Sequence, residues 1–125
     1  MLPALALAGR PAFAAPATGF THSVASGDPD RHSVVLWTRF VAADGGIARL
    51  KVEVAEDERF ARIVSRGEAS AGPASDYCAH AVPGGLKAGR WYHYRFIAPD
   101  GATSPIGRTR TLPAGSLRHF RIGVV

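Results

Sequence analysis

The chain has 125 residues, 46% of them hydrophobic and 20% charged, with Gly 14 and Pro 9. Those values describe one turn-rich globular domain and exclude a disordered or low-complexity chain. Fifteen Lys and Arg against ten Asp and Glu leave a net charge of +5, yet the basic residues are scattered rather than gathered into the stripe that nucleic-acid binding needs.

Residues Met1 to Gly19 form an Ala/Leu-rich run too short to cross a membrane as a stable helix. Ala12-Phe13-Ala14 has the small-x-small pattern that signal peptidase accepts, without the charged region that opens a complete export signal. Residues 1–19 therefore read as an export-signal remnant or a loose Ala-rich tail, outside the fold.

From Phe20 the chain turns to β chemistry. Phe20–Ala25 is a short edge strand, and Ser26-Gly27-Asp28-Pro29-Asp30 is dense in turn residues. Ser33–Phe40 is β-branched and aromatic, a strong strand whose nearly continuous apolar run implies cover on both faces. Val35 and Trp37 share one face, which is expected to point into the core with Trp37 as its largest plug.

Ala43–Gly46 is a turn, after which Leu50, Val52 and Val54 alternate with charged residues in a half-buried strand. Asp57–Phe60 fits a single helical turn, and Ile63, Val64 and Gly67 mark a further strand at an edge, guarded by Arg62 and Arg66. Tyr77, Ala79 and Ala81 alternate with Cys78, His80 and Val82 in the next strand.

Gly85–Phe96 is the most informative stretch. A Gly-rich turn leads into Trp91-Tyr92-His93-Tyr94-Arg95-Phe96, with Leu86 six residues before Tyr92. That spacing is the tyrosine corner of Ig-like and fibronectin-type sandwiches, in which the ring enters the core and the hydroxyl returns to upstream backbone. Pro99-Asp100-Gly101 is a hairpin turn, and Ser104–Pro113 carries a final strand. About seven strands with no long helix predict an all-β antiparallel sandwich over residues 20–113. Residues 114–125 read as a linker and the first strand of a following domain, with Phe120, Ile122 and Val124 as its apolar positions.

No catalytic, cofactor-binding or metal-binding residue is assigned. Cys78 is a lone thiol with no CxxC or zinc-type partner. None of His22, His32, His80, His93 and His119 stands at metal-ligand spacing to another, although His80 and His93 would share a surface if their strands were neighbours. Asp28, Asp30, Asp44, Asp57, Asp76 and Asp100 sit mostly in turns, where carboxylates cap backbone N–H groups. Ser26-Gly27-Asp28 lacks the context of a nucleophile elbow, and the Gly45-Gly46 and Gly84-Gly85 pairs precede no helix that could hold a phosphate. Arg108 and Arg110 share one strand face and present two guanidinium forks, suited to carboxylate, phosphate or a neighbouring domain.

Four motifs in order, Phe20-x-His22-Ser23-Val24-Ala25-Ser26-Gly27-Asp28-Pro29, Ser33–Arg39, Gly85–Phe96 and Ser104–Pro113, resemble the N-terminal region of alkaline phosphatase D (PhoD-like) proteins. The resemblance implies an Ig/fibronectin-like sandwich ahead of a metallophosphoesterase domain that hydrolyses phosphate esters with iron and calcium. It also implies export to the periplasm or exterior by the twin-arginine route, whose motif this chain does not contain. The family's metal ligands lie in the later domain, so the expected role is a non-catalytic support for that missing partner. No nucleic-acid partner and no membrane span are expected. The alternative is a free-standing extracellular fibronectin-like binding module that recognises ligand through loops such as Ser26–His32.

Overall fold

In the computed structural model, which describes residue 14 and residues 16–124, the chain forms seven strands in two antiparallel sheets. The strands are β1 (Gly19–Gly27), β2 (Val35–Val41), β3 (Ala48–Ala55), β4 (Ile63–Ala71), β5 (Cys78–Ala81), β6 (Trp91–Ile97) and β7 (Gly107–Arg110). One sheet has the order β1-β2-β5 and the other β4-β3-β6-β7. The expected all-β sandwich is thus present, with β1 and β4 at sheet edges as anticipated. The export-signal pattern lies almost wholly outside the described residues.

Alternation fixes the inner face of the four-stranded sheet. Leu50, Val52 and Val54 of β3 and Tyr92, Tyr94 and Phe96 of β6 are fully buried, while Arg49, Lys51, Glu53, Trp91, His93 and Arg95 that alternate with them are exposed or half-buried. Ala69, Ala71, Ala79 and Ala81 complete the core with small side chains where β4 and β5 approach it. The inner face of β2 is Leu36, Thr38 and Phe40, preceded by buried Val34 just before the strand, which reverses the expectation for this strand. Val35 and Trp37 lie on the outer face, where both are half-buried. Trp37 stands edge-on to His22, with ring centroids 6.4 Å apart, and pairs with Ala25 and His80. Arg39 has the same parity, so turning Trp37 inward would also bury a guanidinium. Instead Arg39 donates from Nε to the Asp76 carbonyl at 2.9 Å and from Nη1 to Thr21 Oγ1 at 2.9 Å.

The connections follow their local chemistry. Asp44 Oδ1 accepts from Gly46 N at 2.8 Å, and Gly45 takes φ +69° to close that turn. Residues 57–60 make a tight turn rather than a helical one: Phe60 N donates to Asp57 O at 3.2 Å and Phe60 itself adopts φ 56°. The Asp57 carboxylate accepts from Ala61 N and Arg62 N at 3.1 and 2.9 Å, and these backbone bonds, from Arg62 and then Ala61, hold its pKa below the ordinary value of 3.8. A single 3-10 turn, Pro73–Ser75, is the helical element among the described residues. Residues 114–124 pair with neither sheet, and Phe120, Ile122 and Val124 stand exposed.

Candidate functional site

The Gly85–Phe96 stretch does what its spacing predicts. Tyr92 enters the core at 1% exposure and its hydroxyl accepts from Lys87 N at 2.8 Å. Buried Thr111 ties the same loop to β7, donating from its hydroxyl to Lys87 O at 2.6 Å and accepting from Arg90 N at 3.1 Å. The loop that precedes β2 is fastened here too. Leu86 N donates to His32 O at 3.0 Å, His32 Nδ1 lies 2.9 Å from Leu86 O, and Leu112 N donates to Asp30 O at 2.9 Å. Two segments far apart in sequence, Ser26–His32 and Arg108–Leu112, are thereby fixed side by side.

Between them lies a cleft of about 300 Å³, lined by Ser26, Gly27, Pro29, Val34, Trp91, Arg108, Thr109 and Arg110. Its basic wall comes from the outer face of β6 and β7, where register sets Trp91 opposite Arg110 and His93 opposite Arg108. The Arg108 guanidinium carbon sits 4.0 Å from the centre of the Trp91 ring and that of Arg110 5.5 Å from the same centre. Both guanidinium groups are thus within cation–π range of one indole. Among the described residues neither arginine has a carboxylate within ion-pair distance. By contrast, Arg95 is committed to structure: its Nε and Nη2 donate to Glu53 Oε2 at 3.0 and 2.8 Å, and its guanidinium lies 4.2 Å above the buried Phe60 ring.

The remaining candidates do not gather into a centre. His80 is on β5 and His93 on β6, which belong to different sheets, so the surface these two would share as neighbours does not form. His93 instead places Nε2 3.5 Å from Glu58 Oε1, with Nδ1 buried and unpartnered. Cys78 is half-buried on β5. Among the described residues no three His, Cys, Asp or Glu side chains converge closely enough to hold a metal ion. Asp44, Asp57 and Asp100 accept from nearby backbone N–H groups, as turn acids do, whereas Asp76 pairs with Arg39 at 3.2 Å. Burial raises the pKa of the Tyr94 phenol above 10.0, opposed by a weaker hydrogen bond with Ser26.

The family model described as PhoD-like phosphatase, N-terminal domain, matches residues 5–113. The chain belongs to that family. The match begins inside the Ala-rich stretch, ahead of Phe20, and ends at Pro113, just past β7. Alkaline phosphatase D of Bacillus subtilis (strain 168) is 45% identical over 103 residues, covering 76% of this chain and 17% of the relative. A solved structure of PhoD superposes with a TM-score of 0.72 at 39% identity, over 82% of this chain and 21% of the solved one. The chain thus spans about a fifth or less of the length of the proteins it resembles.

The cleft itself was not legible beforehand. In the sequence Arg108 and Arg110 stand out by their shared strand face, and Ser26–His32 by its turn chemistry. Nothing in the sequence states that β1 and β7, at opposite ends of the chain, meet.

Proposed function

We propose that this chain is the non-catalytic N-terminal sandwich of an exported phosphate ester hydrolase, and that it supports a phosphoesterase domain lying beyond it. The observation that carries the proposal is the family match across the whole fold, combined with the small share of alkaline phosphatase D that the match covers. The strand order, with the corner tyrosine on β6, supports the fibronectin-type reading of the sandwich. Leu117, Phe120, Ile122 and Val124 are exposed apolar side chains following Pro113, and in this proposal the last three open the first strand of the catalytic domain and become buried there. Iron and calcium belong to that domain. Export by the twin-arginine route is what family membership suggests, although residues 1–19 do not contain its motif. No helix of the described residues is long and apolar enough to cross a membrane.

The test is hydrolysis by the chain itself. Purified chain is incubated with p-nitrophenyl phosphate and its bis ester, with iron and calcium supplied, and release of p-nitrophenol is followed. Release at the rate of the metal-containing buffer is expected; turnover proportional to chain concentration would overturn the non-catalytic assignment.

A further inference from the structure

We infer that the cleft between the Ser26–Pro29 turn and β7 is a binding site for a dianionic phosphoryl group, held by Arg108 and Arg110. The observation is independent of the proposed role of the domain, because it rests on the cleft's own side chains. Two strand positions apart is about 7 Å, so forks projecting from Arg108 and Arg110 on one face can grip opposite oxygens of a single tetrahedral anion. Their guanidinium carbons share the Trp91 ring at 4.0 and 5.5 Å. A planar fork already stacked on an indole loses less freedom on binding than a free side chain.

The charge balance favours the same ligand. Neither guanidinium is neutralised within the described chain, and no carboxylate lines the cleft. Arg108 and Arg110 both line one cleft; two uncompensated cations there attract a dianion more strongly than a monoanion, and guanidinium forks match phosphate oxygens two at a time. Backbone supplies further donors. Thr111 N bonds inward to Arg90 O whereas Leu112 N points the other way, to Asp30 O. Arg108 and Arg110 share the parity of Leu112, and β7 has a partner on one side only. Their N–H groups, alternating with their C=O groups, therefore lie along the open edge of β7. Ser26 and Gly27 form the opposite wall, and Gly27 carries no side chain to obstruct an oxyanion.

The site accepts either free phosphate or the phosphoryl end of an ester, and the experiment separates these sources. The ¹⁵N-labelled chain is titrated with inorganic phosphate, phenyl phosphate or acetate at constant ionic strength. The Trp91 indole N–H, the backbone N–H groups of Gly27, Arg108 and Arg110, and the Trp37 indole as an internal control are followed. Phosphate, phenyl phosphate or both should shift the Trp91 and cleft signals saturably and leave Trp37 in place; whichever does so names the source. R108A and R110A should each weaken binding about tenfold, and the double variant should remove it. R108Q/R110Q, which keeps the stems packed on Trp91 but removes both charges, is the second variant should the alanine pair lose its native spectrum. Equal shifts with acetate, shifts spread over the other exposed arginines, or saturable binding retained by R108Q/R110Q would overturn the assignment.

Discussion

Replacing Tyr92 by Phe isolates the hydroxyl of the corner from its ring. The ring is 1% exposed and stays in place in the variant, so apolar burial is unchanged. What is lost is the bond at 2.8 Å from Lys87 N. A net hydrogen bond contributes about 1 kcal/mol, and leaving a part-buried donor without a partner adds part of a desolvation penalty of about 1–3 kcal/mol. The expected cost is about 2 kcal/mol, which lowers the melting temperature of a domain this size by roughly 10 °C. Urea and thermal unfolding followed by circular dichroism measure it, and the urea slope should not change because the exposed surface on unfolding is the same. Tyr77→Phe is the comparison. Its hydroxyl donates to Gly45 O at 3.1 Å from a half-buried position, where water can replace it, so a cost of about 0.5 kcal/mol or less is expected. A Tyr92→Phe shift no larger than that of Tyr77→Phe would refute the claim that this hydroxyl fastens the corner.

Gly107→Ala should destabilise the domain by about 2–3 kcal/mol, because a Cβ there meets the Tyr94 ring, with Cε1 only 2.6 Å away; a neutral urea midpoint would show that the ring yields freely. The facing of β2 is tested by Leu36→Ala against Trp37→Ala. Leu36 is fully buried and should cost about 3 kcal/mol, with the half-buried Trp37 costing clearly less; the reverse order would restore Trp37 to the core. The Asp57 carboxyl titrates lower in the folded chain than the ordinary 3.8. Its contribution is therefore complete above that value and disappears as pH falls through the folded pKa. Asp57→Asn should flatten the acid limb of the stability curve, and an identical limb in both proteins would remove Asp57 from the account of residues 56–62.

Much of this fold can be read from period and turn chemistry. Leu50, Val52 and Val54 and then Tyr92, Tyr94 and Phe96 alternate strictly, so each has one possible inner face. The spacing of Leu86 to Tyr92 located the corner, and Pro99-Asp100-Gly101 closes its hairpin with Gly101 N on Ala98 O at 2.9 Å. β2 is different. An unbroken apolar run satisfies either facing, and side-chain size alone favours Trp37 inside. Arg39 decides the facing, because its parity with Trp37 marks that face as the wet one. Asp57–Phe60 has helical composition, but the Asp57 carboxylate captures the N–H groups of Ala61 and Arg62 and ends the turn at once. Pairing between strands distant in sequence is where reading stops: the separation of His80 from His93 and the meeting of Ser26–Pro29 with Arg108 and Arg110 are decided by which strand joins which sheet.

The most direct test of the supporting role is made in full-length alkaline phosphatase D, comparing the whole enzyme with one lacking the segment that matches this chain. If the sandwich supports the phosphoesterase domain, the shortened enzyme should melt more than about 5 °C lower while each folded molecule still hydrolyses p-nitrophenyl phosphate. An unchanged melting temperature, or a folded remainder that has lost all turnover, would contradict a purely supporting role.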